Sequence, residues 1–215
     1  MNNRKLAQQA LSLVAIIASF GVFLQLYISV SNAVLDGRGI MSGLMRYFAY
    51  FTVLANIFVV LVATMLAFSP RSKLGQWLEK PVVMGCVVTA ILFVALAYHF
   101  LLRHVWHPEG LQLLANYVLH YVTPASLVVY WLVFPPKQML NKLDPVRWTI
   151  FPVIYFIYAL GRGVLGDTYP YYFIDVSVIG YGQTIINALV LCMIYIVLGA
   201  LVLLVTKFRQ AKNYE

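Results

Sequence analysis

Charged residues are scarce in this chain: 10% of its 215 residues are Asp, Glu, Lys or Arg, whereas 62% are hydrophobic. A soluble domain carries about 25% charged residues, so this chain has too few to cover a water-facing surface. Acidic residues number seven and cysteines only two. GxSxG, HExxH and Walker sequences are missing as well, which leaves out several well-known hydrolase, metalloprotease and nucleotide-binding motifs.

The few cysteines and the excess of basic residues bear on cofactors and partners. Cys86 and Cys192 stand alone in apolar stretches without CxxC spacing, so we predict that they are packing residues. We therefore expect no metal and no cofactor. The formal net charge is +8, but nucleic-acid binding needs a basic patch on a soluble face, and this composition provides none. Membrane lipid is the partner that such a charge favours.

What the chain has in abundance is long apolar runs. A helix needs about 20 apolar residues to cross the hydrocarbon core of a bilayer. Six runs meet this requirement, at 10–30, 47–68, 81–102, 113–134, 148–166 and 183–206. The first is longer than the ~7–15 residues of a signal-peptide core, so we predict that it is retained. The sequence thus predicts an all-α, six-helix transmembrane bundle that forms one integral membrane domain over residues 1–215.

The basic residues predict the orientation of this bundle. If the N-terminus is cytoplasmic, eleven of the fifteen Lys and Arg residues lie on the cytoplasmic side. The other four are Arg38, Arg46, Arg103 and Arg162. An excess of Lys and Arg in the cytoplasmic segments is the positive-inside pattern. We therefore predict that both termini are cytoplasmic.

Strongly polar side chains inside the spans all fall in the outer half of the predicted bundle. Thr52 and Asn56 are four residues apart on the second span, and Asn116 and His120 are four apart on the fourth. Each pair lies on one helix face, and Thr52 and His120 lie at a matching depth of about 8–10 Å. Pro124 should free the His120 carbonyl and kink the helix. This pattern predicts a polar cavity that opens to the outside or to the outer leaflet.

Charged and aromatic residues around this level complete the candidate site. Arg162 lies between Gly161 and Gly163, so that a ligand or a neighbouring backbone can approach it closely. The loop after it, 167–175, is rich in tyrosine and proline. An aromatic belt at the membrane interface accounts for most of that loop. It does not account for Asp175, and we expect this acid to pair with Arg162, Arg46 or Arg103.

Three of these segments carry a resemblance to a known family. Residues 50–56 (YFTVLAN) resemble the second-helix motif of the androgen-induced and androgen-dependent TFPI-regulating proteins, and 116–120 (NYVLH) with Pro124 resembles their fourth-helix histidine motif. Tyr169-Pro170, the Phe-Ile-Asp that ends at Asp175, and Gly180-Tyr-Gly182 are similar to their loop before the last helix. The six spans match as well, and the sequence looks more like the bacterial branch. The resemblance therefore implies a multi-pass protein of a bacterial inner (plasma) membrane.

The resemblance also implies a chemistry. Animal members of this family are integral-membrane hydrolases of fatty acid esters of hydroxy fatty acids, and they use a threonine nucleophile and a histidine. Carried over by motif, Thr52 is the candidate nucleophile and His120 the candidate base. A threonine hydroxyl needs such a base, and neutral histidine suits the role near pH 7. Asn116 or Asn56 would orient the imidazole or stabilise the oxyanion.

The substrate expected from the resemblance is a membrane lipid ester, with Arg162 or Arg46 holding a carboxylate or phosphate. Gly-Arg-Gly at 161–163 departs from the bulkier, histidine-bearing stretch of the animal members, which bears on the headgroup that fits. Three other functions stay open at this point. They are an acyltransferase on the same scaffold, a transporter or lipid-binding protein that uses the cavity without chemistry, and a haem protein with His99, His104 or His120 as axial ligands. The sequence does not predict the oligomeric state.

Overall fold

The computed structural model describes residues 3–136, 140–166 and 168–212. Within these ranges every regular element is a helix, and no strand is present. Lys137, Asp167 and Glu215 lie outside the described residues, as does the side chain of Lys212.

Six helices are long and apolar enough to cross a membrane, and they confirm the six spans predicted from the apolar runs. These spans are Asn3–Leu35, Phe51–Phe68, Pro81–Leu102, Gly110–Val133, Asp144–Gly166 and Val176–Gln210. The described part of the chain is thus the helical bundle of a multi-pass membrane protein.

Shorter elements interrupt or join the spans. The helices Gly39–Phe48 and Lys73–Leu78 lie between spans, and a 3₁₀ turn, Tyr172–Ile174, precedes the sixth span. Two π-turns, Tyr98–Leu102 and Val118–Val122, lie within the third and fourth spans.

The second span begins later than the apolar run predicts, at Phe51 instead of residue 47. Tyr50 has an extended backbone (φ −93°, ψ 131°), which separates the span from the helix Gly39–Phe48. That helix packs back on the first span, where the Ser29 hydroxyl donates to the Gly43 carbonyl at 2.9 Å. A Cβ atom at Gly43 would stand 2.7 Å from the Val30 Cα. Glycine is therefore needed for this close approach.

Successive spans run in opposite directions, which gives the bundle two ends. At one end the second span begins, and we call it the Thr52 end; there the Tyr158 hydroxyl donates to the Phe48 carbonyl at 3.3 Å. At the other, the terminal end, the first span begins and the last one ends. The Gln210 amide donates there to the Pro136 carbonyl at 2.6 Å.

The spans differ in how deeply they are buried within the protein. In the most apolar window of the third span 61% of residues are buried, compared with 17% in the fifth span and 22% in the sixth. Val59, Val88 and Ile91 of the second and third spans are fully buried, whereas Ile157 and Leu189 of the fifth and sixth are more than half exposed. The fifth and sixth spans therefore lie at the periphery, where their apolar surface can face lipid.

The sixth span contains a break near its start. Gly180 has φ +72° and ψ 163° inside the helix Val176–Lys212. This conformation suits glycine because it has no Cβ atom. The turn that begins at Val176 is thereby set off from the membrane helix that follows, within the Gly-Tyr-Gly segment that the sequence assigns to the preceding loop.

Candidate functional site

Thr52 lies in the first turn of the second span. The extended backbone of Tyr50 separates the preceding helix from the second span, which starts one residue before Thr52. N–H groups in a first helical turn have no acceptor within the helix, and the positive end of the helix dipole lies there. The Thr52 N–H lies 3.4 Å from the Tyr171 hydroxyl oxygen. Thr52 is therefore placed where developing negative charge is stabilised.

His120 lies in the π-turn Val118–Val122 of the fourth span. The second π-turn, Tyr98–Leu102, ends the third span beside it. The Tyr98 ring stacks on the His120 imidazole with a centroid distance of 4.1 Å and an interplanar angle of 26°. Single π-turns within α-helices are frequent at functional sites. Here two of them place an aromatic ring against the histidine.

Pro124 follows the π-turn and has a consequence for Leu119 that the sequence does not predict. The N–H of Thr123 bonds five residues back within the π-turn. A hydrogen bond from residue 124 to the residue five positions earlier would reach the Leu119 carbonyl, but proline has no N–H to donate. The Asn56 side-chain amide donates to this Leu119 carbonyl at 3.2 Å. The π-turn and Pro124 together leave the Leu119 carbonyl without a helical donor, and a side chain of the second span supplies one.

Thr52 and His120 meet in the interior of the bundle. The threonine Oγ1 and the histidine Nε2 are 3.2 Å apart, and the two residues are only 8% and 6% exposed. His120 Nδ1 lies 3.0 Å from the Asn116 main-chain carbonyl oxygen. Because a carbonyl only accepts, Nδ1 carries the hydrogen and the neutral ring has its lone pair on Nε2. The Thr52 hydroxyl therefore donates to a nitrogen that is ready to accept its proton.

The side chains of Asn56 and Asn116 are bonded elsewhere. Besides Leu119, the Asn56 amide donates to the Thr52 carbonyl at 2.8 Å. The Asn116 amide donates to the Tyr98 hydroxyl at 2.6 Å. The imidazole is thus oriented by the main chain of Asn116, and both asparagine side chains hold the helices and the aromatic ring around it.

A polar cavity of about 390 Å³ opens beside His120. Its polar lining includes Gln25, Ser29, Arg46 and Gln112. Gln25 and Gln112 form a reciprocal pair across the first and fourth spans, with amide nitrogen to oxygen distances of 3.4 and 2.8 Å. A cavity with several polar side chains in its lining thus lies beside Thr52 and His120 at the Thr52 end.

A second, apolar cavity of about 250 Å³ also reaches Thr52. Its walls come mainly from aromatic and aliphatic side chains of the third, fifth and sixth spans, such as Phe93, Phe156 and Leu189. Four residues line both cavities: Thr52, Tyr98, Leu102 and Tyr171. Thr52 therefore stands at the junction of a polar and an apolar compartment.

The remaining predicted site residues do not all converge on this point. Arg46 lines the polar cavity. Arg162 lines neither of the two cavities and donates to the Thr168 carbonyl at 3.3 Å. The Tyr169 ring packs on Gly163, where a Cβ atom would stand 2.0 Å from it. The close approach that Gly163 permits beside Arg162 is thus made by the protein's own Tyr169 ring.

Asp175 does not form the ion pair expected with Arg162, Arg46 or Arg103. Its carboxylate accepts from the Ser177 main-chain N–H at 3.0 Å and from the Ser177 hydroxyl. The two ion pairs among the described residues join Arg38 to Asp36 and Arg147 to Asp144. Because Asp175 directly precedes the sixth helix, its carboxylate satisfies a free N–H of the first turn, as a helix cap does.

Tyr171 and Tyr98 are the site residues that sequence reasoning does not find. The interface belt accounts for Tyr171 at the sequence level, yet its hydroxyl faces the Thr52 main chain. Burial raises the pKa of Tyr171 to about 12, so its phenol is protonated at neutral pH and can donate. The sequence signal that points to Tyr171 is its position next to the Tyr169-Pro170 motif, in a loop that returns to the start of the second span.

The described residues contain no group of three or more His, Cys, Asp or Glu side chains that would hold a metal ion. Both ring nitrogens of His120 are engaged, by Thr52 and by Asn116. His99 Nδ1 lies 3.2 Å from the Tyr121 hydroxyl, and its ring also contacts the Arg103 guanidinium. The hydrogen bonds around His120 and His99 thus suit a polar network better than axial ligation.

Together, these features define a multi-pass membrane protein with a buried threonine–histidine pair, of which the threonine lines two cavities and the histidine one. No family model, no curated protein and no solved structure matches the chain.

Proposed function

We propose that this chain is an intramembrane lipid-ester hydrolase in which Thr52 is the nucleophile and His120 the general base. The observation that carries the proposal is the chain of contacts from Thr52 Oγ1 to His120 Nε2, and from His120 Nδ1 to the Asn116 carbonyl. A nucleophile, a base within hydrogen-bond reach and a group that orients the base form the arrangement of covalent acyl-transfer enzymes.

The first half of the reaction follows from this geometry. Thr52 Oγ1 attacks the ester carbonyl while Nε2 takes the hydroxyl proton. The Asn116 carbonyl accepts from Nδ1–H, so it holds the ring in place and favours the imidazolium that forms. His120 then returns the proton to the departing alkoxide oxygen. The products of this half are a free alcohol and an acyl-threonine ester.

Oxyanion stabilisation comes from the start of the second span. The Thr52 N–H and the Tyr171 hydroxyl lie next to each other, 3.4 Å apart from N to O, and we assign both as donors to the oxyanion. Each donor to an oxyanion is typically worth about 2.7–4 kcal/mol. In this mechanism their mutual contact at 3.4 Å is replaced by shorter bonds to the oxyanion.

Water completes the cycle in the second half. His120 Nε2 takes a proton from water as its oxygen attacks the acyl-threonine, and the Thr52 oxygen leaves with that proton. The polar cavity beside His120 is the route for this water. The resemblance to the animal hydrolases of fatty acid esters of hydroxy fatty acids supports a long-chain ester as substrate.

The test is covalent labelling of the purified protein by a lipid-tailed fluorophosphonate. Attack by Thr52 Oγ1 forms a bond to phosphorus and expels fluoride, and His120 takes the proton. We expect wild type to be labelled, and Thr52→Ala and His120→Ala to lose labelling at least about 10³-fold. Peptide mass spectrometry should place the label on Thr52.

Two matched variants keep this test specific. Thr89 is also a buried threonine, but its hydroxyl donates to the Gly85 carbonyl of its own helix. His99 contacts Tyr121 and Arg103. Thr89→Ala and His99→Ala should both keep wild-type labelling. Absence of labelling in folded wild type, beside a membrane hydrolase that reacts, would overturn the proposal in favour of binding or transport without chemistry.

An acyltransferase is the second candidate, because the first half of the reaction is the same. The observation that favours it is the mixed lining of the polar cavity, where Ile28, Val53 and Leu119 accompany the polar groups. A lipid alcohol fits such a lining and would replace water in the second half. Mass spectrometry of products formed with and without an added long-chain alcohol separates the two, because only a transferase yields the new ester.

We also propose that the terminal end faces the cytoplasm of a bacterial cell and that the Thr52 end faces outward. Arg71, Lys73 and Lys80 lie in the connection between the second and third spans, on the same side as Arg4 and Lys5. In intact cells a membrane-impermeant maleimide should label Gly37→Cys and leave Ser72→Cys unlabelled until the membrane is opened. The reverse labelling pattern would invert the orientation.

A further inference from the structure

The two cavities that meet at Thr52 differ in chemistry, and the base His120 lines only one of them. His120, Arg46 and Gln25 line the polar cavity and not the apolar one. The apolar cavity is walled by side chains such as Phe93, Phe156 and Leu189. A substrate whose ester carbonyl is at Thr52 therefore has one half in each compartment, and the chemistry decides which half lies where.

Proton transfer decides the orientation. The alkoxide that leaves from the tetrahedral intermediate must accept its proton from His120 Nε2, so the alcohol half has to lie on the side of His120. That side is the polar cavity. The acyl half then points the other way, past Thr52 and Tyr171, into the apolar cavity.

We propose that the apolar cavity is an acyl-chain site, which selects the chain length of the acid and leaves the alcohol half to the polar cavity. This inference rests on the proposed function, since it takes Thr52 and His120 as the reacting pair. Apolar surface against an acyl chain stabilises binding by about 0.8 kcal/mol per buried methylene group. A cavity walled by side chains such as Phe156 and Leu189 provides such contacts and offers few groups that would bind a headgroup.

The position of the cavity gives the acyl chain a route from the bilayer. Pro152 and Val153 of the fifth span and Ile185 and Leu189 of the sixth line the cavity. These two spans are the least buried of the six, with 17% and 22% of their apolar windows buried. A lipid chain can therefore enter between the fifth and sixth spans without leaving the hydrocarbon layer.

Ala188 offers a direct test, because it lines the apolar cavity and its side chain is small. Ala188→Phe fills part of the cavity. Val190→Phe is the matched control: it adds a phenyl ring to the same helix at a position that is 49% exposed and lines neither cavity. Both variants are assayed against p-nitrophenyl butyrate and p-nitrophenyl palmitate, and against octanoyl esters of different alcohols.

For Ala188→Phe, kcat/KM for the palmitate ester should fall at least about tenfold relative to the butyrate ester. The ratios of kcat/KM among the octanoyl esters of different alcohols should stay unchanged. Val190→Phe should give the same values as wild type for all esters. An equal loss for all acyl lengths in Ala188→Phe, or altered discrimination among alcohols, would overturn the proposed orientation.

A second measurement does not depend on hydrolysis. Palmitic acid with a terminal diazirine is photo-crosslinked to the Thr52→Ala protein in detergent, with and without excess palmitate. Crosslinks that palmitate competes away should fall on residues 152–156 and 185–192, and Ala188→Phe should abolish them. Competed crosslinks on residues 25–32 or 106–112 would place the acyl chain in the polar cavity and refute the inference. If wild type hydrolyses no ester, the proposed catalysis fails, and these crosslinks still decide the acyl site.

Discussion

Both ends of the bundle contain close glycine contacts, and the Thr52 end contains two cavities as well. At the terminal end the helices pack backbone against ring: a Cβ atom at Gly85 would stand 2.3 Å from the Trp148 ring, and one at Gly199 would stand 3.1 Å from the Pro145 side chain. At the Thr52 end, helices are separated by two cavities and are joined by hydrogen bonds between polar side chains.

The regularity of the backbone also differs between the two ends. Tyr50 is extended at the Thr52 end, Gly180 has a positive φ, and both π-turns lie there. Irregular backbone at membrane depth is tolerated where it is buried in protein or lines a polar cavity. Departures from regular geometry are expected where a protein aims functional groups. The irregular backbone and the two cavities thus lie together at the Thr52 end, and we expect that each end can be disturbed separately.

Tyr171→Phe should give the largest effect that leaves the pair of reacting residues intact. The substitution removes the phenol hydroxyl that faces the Thr52 N–H and keeps the ring that packs on Phe173. Loss of one oxyanion donor typically lowers kcat about 10²–10³-fold. We expect a fall of that order in kcat with KM within about threefold, measured by steady-state hydrolysis of a long-chain ester.

Tyr172→Phe is the control for Tyr171→Phe. Tyr172 lies in the same loop, but its hydroxyl donates at 3.3 Å to the Leu101 carbonyl. Its kcat should stay near that of wild type. Equal losses in the two variants would show that the loop as a whole, and not a donor at Thr52, supports turnover.

Gly85→Ala should disturb the terminal end and spare the chemistry. The new Cβ atom would meet the Trp148 ring at 2.3 Å, so the ring or the third span must shift. Overpacking of this kind costs typically 1–3 kcal/mol. We expect a lower thermal midpoint for the purified protein, with kcat of the folded fraction nearly unchanged.

Gly161→Ala is the matched control, because nothing lies within 4 Å of a Cβ atom there. Alanine is favoured over glycine in a helix by about 0.5–1 kcal/mol, so this variant should be as stable as wild type or slightly more so. A large loss of kcat in folded Gly85→Ala would show that the two ends are mechanically coupled and would contradict the comparison.

Much of the fold follows from the sequence because the membrane imposes simple rules. An apolar run of sufficient length has to be a helix, since its backbone groups have no other partners in lipid. The helix break before Phe51 does not follow from such rules. The hydropathy of residues 47–50 continues that of the span, and the break depends on packing of the helix Gly39–Phe48 against the first span.

The site is predictable where it depends on depth and helix face. Thr52 and His120 are expected at one level, and the structure places them 3.2 Å apart. The group that orients the imidazole is a main-chain carbonyl, which no residue pattern distinguishes from its neighbours. The π-turns are equally hidden, because their extra residue is accommodated by contacts such as that of Asn56 with Leu119.

The smallest expected effect separates the two arginines that the sequence offers as anion ligands. Arg46 lines the polar cavity, in which the alcohol half of the substrate is proposed to lie. Arg162 lines neither cavity and donates to the Thr168 carbonyl. Arg46→Gln should raise KM several-fold for esters whose alcohol carries a carboxylate, because a charge-assisted hydrogen bond is lost. For neutral alcohols KM should not change.

Arg162→Gln should leave both KM values within about twofold, since an exposed contact of this kind contributes little. Each variant is compared on a matched pair of esters that share one acyl chain and differ only in the carboxylate of the alcohol. Added salt should weaken the effect of Arg46, because this side chain is exposed and its charge is screened. If Arg162→Gln shows the selective rise in KM and Arg46→Gln does not, the anion is bound at the end of the fifth span, and the polar cavity does not hold the charged part of the substrate.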